Sequence, residues 1–336
     1  MDTRPIAVYY EHPEWFRPLF AEFERRGTPY ARIDASRHRY DPAETHPGFS
    51  LFLNRMSPSA FKRGGAHTIL YTLNYLEHLE RAGVRVVNGT LAFGYEVAKA
   101  RQLSLLQSLG LGYPRARVIN HPAEALAAAE GLRWPVLIKP NVGGSGAGVT
   151  RFDRREDLER AVADGRISLG LDNTALVQEF IPARDGHITR VEVLGGKFLY
   201  AIKVFLCGDS FNLCPADICQ NGETGPDAGS ELGPAACPVE APKAGIRVEA
   251  YTPPAKVIAE VEAITAAAGI EVGGVEYVVD DRDGALLYYD INALSNFVAD
   301  APRVLGFDPF PRLADYLEQE AFDAAEGGAA GATAAD

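Results

Sequence analysis

Three stretches of the chain hold residue types whose spacing could do chemistry. The first is Gly274–Asn296, G-V-E-Y-V-V-D-D-R-D-G-A-L-L-Y-Y-D-I-N-A-L-S-N. Val275–Val279 and Leu286–Ile291 are rich in β-branched and aromatic residues, with a turn cluster at Asp281–Gly284 between them, so the stretch reads as a β-hairpin. Folding at that turn brings Glu276 roughly opposite Asp290, and strand alternation puts Asp290 and Asn292 on one face. Two carboxylates and an amide oxygen would then converge, a set that suits magnesium, which binds a few protein oxygens together with substrate phosphates. The plainer alternative is a surface hairpin with solvated acids.

The second stretch is Trp134–Val149. An apolar strand ends in Lys139-Pro140, and Asn141-Val-Gly-Gly-Ser-Gly-Ala-Gly-Val149 follows. Gly143, Gly144, Gly146 and Gly148, with Ser145 among them, would let backbone N–H groups approach phosphates closely. The lysine precedes the glycines and no Gly-Lys-Ser/Thr follows, so this is not a Walker loop, and the spacing does not fit a dinucleotide fingerprint. A flexible hairpin is the competing reading. The third stretch is Arg55-Met56-Ser57-Pro58, at the carboxyl end of a strand where open parallel sheets bind ligands. Substrate contact and a local ion pair compete for Arg55.

The elements that must position these residues follow from periodicity. Ile6–Tyr10, Tyr30–Ile33, Phe49–Asn54 and Val84–Val87 read as strands, with helices over Pro13–Arg26 and Ala66–Arg81 between them, a β-α-β pattern that predicts a small parallel sheet. Ala92–Leu109 reads as one helix carrying Lys99, Arg117–Ile119 as a strand and Pro122–Glu130 as a short helix. Arg155–Asp164 reads as a helix, and Ala175–Pro182 as an apolar strand interrupted by Glu179. Arg190–Val193 and Lys197–Phe205 form a hairpin around Gly195-Gly196, and Pro254–Ala268 and Pro309–Gln319 are helices. Cys207–Tyr251 lacks periodicity and reads as a functional loop, a lid or a disordered stretch. Its four cysteines are not spaced as C-x-x-C pairs, which points to plain thiols rather than zinc. Ala321–Asp336 is Ala/Gly-rich, and a disordered tail is expected there.

The 336 residues suffice for two or three packed units, with 47% hydrophobic and 23% charged residues as in ordinary globular proteins. A net charge of -12 argues against a nucleic-acid partner held by phosphate contacts. No run approaches a membrane span, and Met1–Tyr10 lacks the pattern of a secretory signal, so a cytoplasmic protein is expected.

In this order the motifs resemble the ATP-grasp superfamily, and within it the RimK-type glutamate ligases and bacterial glutathione synthetases. The resemblance runs from about Ile6 to Leu317. It rests on R-M-S-P, on A-K-A-R-Q-L-S-L-L-Q-S-L-G-L-G-Y-P around Lys99, on V-L-I-K-P-N-V-G-G-S-G-A-G-V, on L-V-Q-E-F-I and on G-V-E-Y…Y-Y-D-I-N. It implies an α/β fold, α+β in the C-terminal part: a parallel α/β domain at 1–95, two α+β subdomains gripping ATP at 96–175 and 176–322, and a disordered tail at 323–336. It implies ATP and one or two magnesium ions (or manganese) as cofactors. Lys99 and Lys139 would contact phosphates, Gly143–Gly148 would close over them, and Gln178, Glu179, Phe180 and Ile181 would form the adenine hinge. Arg190 and Lys203 would stabilise charge in transfer, and Glu276, Asp290 and Asn292 would hold the metal.

Departures from the family pattern are specific. The family usually has Asp at the first hairpin position and Glu at the second, and here Glu276 and Asp290 are exchanged. Ile188 stands where an Asp often contacts ribose, so Asp185 or His187 would substitute. The loop that faces substrate in relatives has Asn212 but lacks the usual arginine, which implies different substrates. Arg55, Ser57, Asn212 and Asn296 are the expected substrate contacts, although Asn296 would serve equally as a cap. The implied activity is an ATP-dependent carboxylate–amine ligase acting on small molecules. The alternatives are a small-molecule kinase on the same fold and a nucleotide-binding regulatory protein. Relatives are often dimers or tetramers, so a homo-oligomer is compatible with the resemblance.

Overall fold

A computed structural model describes residues 4–144, 146–205 and 247–332. The N-terminal part alternates β1 (Ile6–Tyr10), α1 (Arg17–Arg26), β2 (Tyr30–Asp34), β3 (Leu51–Arg55), α2 (Ala66–Arg81) and β4 (Val86–Val87). Its strands form a four-stranded parallel sheet in the order β2-β1-β3-β4. β1 and β3 are buried along their whole length, as strands covered on both faces must be. Phe16, Leu19, Phe20 and Phe23 fill one side of this sheet, and Ile69, Tyr75, Leu76 and Leu79 the other.

Next come α3 (Thr90–Glu96), α4 (Lys99–Ser108), β5 (Ala116–Ile119), α5 (Ala125–Ala129), β6 (Val136–Pro140), β7 (Thr150–Phe152), α6 (Arg155–Ala163) and β8 (Ala175–Glu179). The second sheet has the order β5-β8-β6-β7 and is antiparallel. One helix was expected over Ala92–Leu109, but the chain leaves helical geometry at Ala98 and restarts at Lys99. Asn141 compensates the new helix start: its Oδ1 accepts from the Ala100 N–H at 2.8 Å and its carbonyl from the Lys99 N–H at 3.3 Å. The subdomain boundary expected at 175 falls at the start of β8. That strand pairs with both β5 and β6, so the chain passes to the next sheet only after Glu179.

The third sheet holds β9 (His187–Leu194), β10 (Lys197–Phe205), β11 (Val248–Tyr251), β12 (Val272–Val279) and β13 (Leu286–Asn292) in the order β11-β10-β9-β12-β13, all antiparallel. α7 (Ala255–Ala268) covers one face through Val257, Val261 and Ile264. β11 shows that the end of the segment read as irregular, Cys207–Tyr251, is an edge strand. The four cysteines lie outside the described residues. After α8 (Ala301–Leu305), α9 runs from Pro309 to Ala332. The disordered tail expected from 323 is thus helical as far as Ala332, because alanine carries the highest helix propensity and α9 is already nucleated. α9 docks on the N-terminal part, where Arg26 bridges Asp315 at 2.6 Å and Glu318 at 3.0 Å.

Candidate active site

The three sheets meet around one cavity of about 590 Å³. Its walls include Lys99, Lys139, Gly143, Gly144, Gly146, Gln178, Phe180, Ile181, Arg190, Glu276, Asp290, Asn292, Ser57 and Asn296. These expected site residues, drawn from stretches far apart in sequence, therefore share one chamber.

The hairpin's register explains its contribution. Glu276 pairs directly with Asp290, and Gly274 with Asn292. The pairing then shifts between Glu276 and Tyr277, leaving Tyr289 as the extra residue of a bulge. Tyr289 also lines the cavity, and its hydroxyl donates to Glu276 Oε2 at 2.7 Å. Arg190, opposite Glu276 across β9, donates to Glu276 Oε1 at 3.2 Å and to Glu192 Oε1 at 2.6 Å. Burial opposes the Arg190 charge, but Glu192 and Glu276 outweigh it and hold its pKa above the ordinary value. Burial pushes the Glu276 carboxyl up, against the pull of Arg190.

Two lysines flank Asp290. Lys99 Nζ hydrogen-bonds to Asp290 Oδ1, while Lys139 Nζ lies 3.9 Å from the same oxygen and 3.4 Å from the Tyr289 carbonyl. Burial pulls on both ammonium groups. For Lys99 the adjacent Asp290 overcomes it and raises the pKa. For Lys139 burial and the Lys99 charge prevail, and its pKa falls to about 8. Asp290 is held low by the two lysines in spite of its own burial.

The donor set fits magnesium in a particular way. Among the described residues no group of three or more His, Cys, Asp or Glu could form an all-protein cage. Magnesium shared with substrate phosphates ordinarily takes one or two protein carboxylates, and Glu276 and Asp290 can supply them. Asn292 Nδ2 is buried without a hydrogen-bond partner among the described residues, and a rotated amide would put oxygen there.

Several expected contacts lie elsewhere. Lys203 pairs with Thr189, one residue out of step with Arg190, which pairs with Ile202. It therefore sits on the α7 side of the sheet, 4.8 Å from the centre of the Tyr251 ring. Asp185 is exposed in a left-handed turn, off the cavity wall, while Ile188 lines the cavity. The Glu179 side chain turns away from the cavity and is fully buried, accepting from Arg133 N–H at 2.9 Å and Arg133 Nε at 3.0 Å. Any hinge role there belongs to its backbone. Gly148 is not on the wall; its positive φ and its closeness to the Pro140 ring make it a turn residue. Arg55 is buried behind the wall, donating to the Ser295 carbonyl, with its pKa lowered to about 10 by burial. Ser145 and Asn212 lie outside the described residues.

Several wall residues escaped sequence reasoning, Tyr289, Arg151 and Glu96 among them. Tyr289 enters only through the bulge, which no residue pattern signals. Arg151, on β7, packs its guanidinium 4.3 Å from the centre of the Phe180 ring. Glu96 accepts from the Ala293 and Leu294 N–H groups, the latter at 3.1 Å, and burial lifts its carboxyl to about 7.

Compared with solved structures, the chain superposes on the ATP-grasp ligase PsnB complexed with minimal precursor with a TM-score of 0.65 at 17% identity, covering 94% of this chain and 99% of that one. A RimK domain protein ATP-grasp from Sphaerobacter thermophilus gives 0.64 at 20% identity, covering 93% of this chain and 98% of that one. D-cycloserine synthetase DcsG gives 0.64 at 17%, covering 94% and 99%. The chain has the ATP-grasp fold. More particularly, residues 97–209 match the family model of the RimK-like ATP-grasp domain. Among curated proteins, the chain is 31% identical to a probable alpha-L-glutamate ligase of Teredinibacter turnerae over 166 residues, 49% of this chain and 51% of that protein. It is 30% identical to that of Saccharophagus degradans over 203 residues, 59% and 66% respectively. The chain spans about half the length of the curated relatives it matches first.

Proposed function

We propose that this chain is an ATP-dependent carboxylate–amine ligase that works through an acyl phosphate. The observation that carries the reading is the single chamber in which two buried lysines, a glycine turn, an apolar hinge and the paired acids Glu276 and Asp290 meet. Phe180, Ile181, Ile188 and Val278 supply an apolar bed for a flat base, and Lys99 and Lys139 supply point charges for phosphates. Glu276, Asp290 and Asn292 would hold magnesium; among proteins of similar fold, a PsnB structure is described with Mg and ADP. Magnesium held there would supply positive charge that offsets the charge of the phosphates.

In the first step a substrate carboxylate oxygen attacks the γ-phosphorus, and the bond to ADP breaks. The two lysines and Arg190 stabilise the charge on the transferring group, which is most of what phosphoryl transfer asks of a protein. In the second step an amine nitrogen attacks the acyl carbon, phosphate leaves, and the amine loses its proton. The turn at Gly143–Gly148 closing over the chamber excludes water and keeps the acyl phosphate from hydrolysis. Lys99 stands against Asp290, which sets its ammonium beside a carboxylate that would hold the metal. Small carboxylates and amines, peptides included, are the substrate class. The test is ADP release against paired carboxylates and amines with mass spectrometry of products. Release only when both are present is expected; a stable phosphoester formed with an alcohol would overturn the reading.

A further inference from the structure

The strand that carries Asp290 and Asn292 lies at the edge of its sheet. β13 ends the order β11-β10-β9-β12-β13, so among the described strands only β12 pairs with it. The backbone groups on its outer side need partners from elsewhere, because a buried N–H or C=O left alone is costly. Side chains supply them. Gln102, on α4 and 2% exposed, takes both backbone groups of Ile291. Its Nε2 donates to the Ile291 carbonyl at 2.8 Å, and its Oε1 accepts from the Ile291 N–H at 3.2 Å. The same Nε2 donates to the Tyr95 carbonyl, near the end of α3, at 2.8 Å. Gln102 therefore does for Ile291 what the next strand of the sheet would do. Ile291 stands between Asp290 and Asn292, so holding its peptide groups holds both candidate metal ligands.

A second buried amide holds the strand's end. Asn88 follows β4 and is 1% exposed. Its Nδ2 donates to the Ala293 carbonyl at 2.7 Å, one residue past Asn292, and to the Val272 carbonyl at 2.6 Å, where β12 begins. Its Oδ1 accepts from the N–H groups of Glu271 at 2.9 Å and Val272 at 3.2 Å. Its own carbonyl accepts from Asn54 Nδ2 at 3.0 Å, which ties the unit to β3. In both amides the NH₂ faces two carbonyls and the oxygen faces only N–H groups, so one orientation of each amide satisfies every partner. Buried polar networks that are fully satisfied specify one geometry. The cavity wall passes through Asp290 and Asn292 without including Gln102 or Asn88, so these two act on the chamber only through the strand.

We propose that Gln102 and Asn88 are positioning residues for the magnesium ligands: they stand in for a neighbouring strand and hold Asp290 and Asn292 at the spacing the metal needs. The proposal rests on the ligase reading above and on its placement of magnesium. Magnesium demands near-ideal octahedral geometry, so a small displacement of the edge strand costs affinity. Groups that orient metal ligands typically account for about 10–100-fold in metal affinity.

The experiment measures the Kd for ADP by calorimetry, once in EDTA and once with magnesium, on the whole chain. The ratio of the two reports the metal's contribution. Gln102→Met keeps the length of the side chain and removes its amide. It should reduce the tightening by magnesium about tenfold or more, with the Kd in EDTA within about twofold of wild type. Hydrogen exchange across residues 286–294 should be faster in the metal-free variant, a readout that involves no turnover. Asn88 has a φ of +57°, which glycine adopts freely, so Asn88→Gly carries the same test should Gln102→Met not fold. Ile264→Ala, fully buried on α7 against the other face of the sheet, is the control for lost stability alone and should keep the wild-type ratio. Amide variants that keep the wild-type ratio, or an Ile264→Ala that loses it to the same extent, overturn the positioning role and leave the ligase reading standing. A wild type that binds ADP equally with and without magnesium overturns the placement of the metal and the proposal with it.

Discussion

The two hairpins that share the five-stranded sheet face the cavity differently. In β12–β13, Glu276 and Asp290 stand directly opposite each other, so both carboxylates reach the chamber. In β9–β10, Arg190 stands opposite Ile202, and Lys203 is one residue out of step. The same sheet therefore spends one cation on the site and puts the other under α7. Each lies on a strand among apolar neighbours, and only the register separates their roles. What the difference teaches is that charge on a strand becomes function through parity. Glu276 and Arg190 share a face and a contact, which makes the two hairpins one electrostatic unit.

Breaking that unit should give the largest effect. Arg190→Ala leaves Glu192 and Glu276 buried without their shared cation. A loss of about 3–5 kcal/mol in stability is expected from the uncompensated charge, with turnover down by about 10²–10³. Urea denaturation and ADP release check the two parts separately. Stability and turnover both near wild type would show that Glu192 and Glu276 do not depend on Arg190.

The other hairpin is tested through its own acid. Glu276→Ala should abolish ATP turnover and leave the fold intact, because Arg190 keeps Glu192 as a partner. The checks are ADP release and calorimetric titration of magnesium into the ATP complex. Full magnesium-dependent activity in this variant would move the metal elsewhere.

A subtler difference separates the acid and the lysine that border this unit, Glu96 and Lys139. Burial holds the Glu96 proton up to about 7, against an ordinary 4.5. Between those values the native state binds more protons than the unfolded chain, so stability falls as pH rises through that window, by about 3 kcal/mol. Lys139 behaves in the opposite sense. Its pKa drops from 10.5 to about 8, so the unfolded chain binds more protons between those values and stability rises with pH there. Glu96→Gln should flatten the first slope and Lys139→Met the second, as read from urea midpoints across pH. Unchanged slopes would mean that neither group is desolvated to the extent the fold implies.

Much of this architecture was legible in the sequence. Local signals do not depend on the rest of the fold, so the strands of the parallel sheet, the hairpin turn at Asp281–Gly284 and the pairing of Glu276 with Asp290 could all be read. Position along a motif was also readable, which is why Lys99, Lys139 and the glycine turn were placed together. Parity between strands was not. The Gly195-Gly196 turn, where both glycines have positive φ, starts the pairing of β9 with β10, but the register shifts by one residue between Phe198 and Tyr200, and that bulge reverses the reading of Lys203. Contacts formed only in three dimensions stayed hidden as well. Arg55 looked like a site residue because of where its strand ends, yet its side chain is absorbed by Ser295.

The smallest expected effect sharpens the comparison most. Lys203 lies on the face away from Arg190, with its ammonium over the Tyr251 ring. Replacing it removes one cation–π contact of about 0.5–1 kcal/mol and no group on the cavity wall. Lys203→Ala should therefore keep kcat and the KM for ATP within about twofold and shift the urea midpoint only slightly, as partly exposed substitutions usually do. A control at the neighbouring position separates parity from mere proximity. Ile202 is fully buried on the cavity side of the same strand, and Ile202→Ala should cost about 2–5 kcal/mol. If Lys203→Ala instead lowered kcat as deeply as Arg190→Ala, the register of β10 would not be what sorts these two cations, and Lys203 would have to reach the phosphates by some movement of the strand.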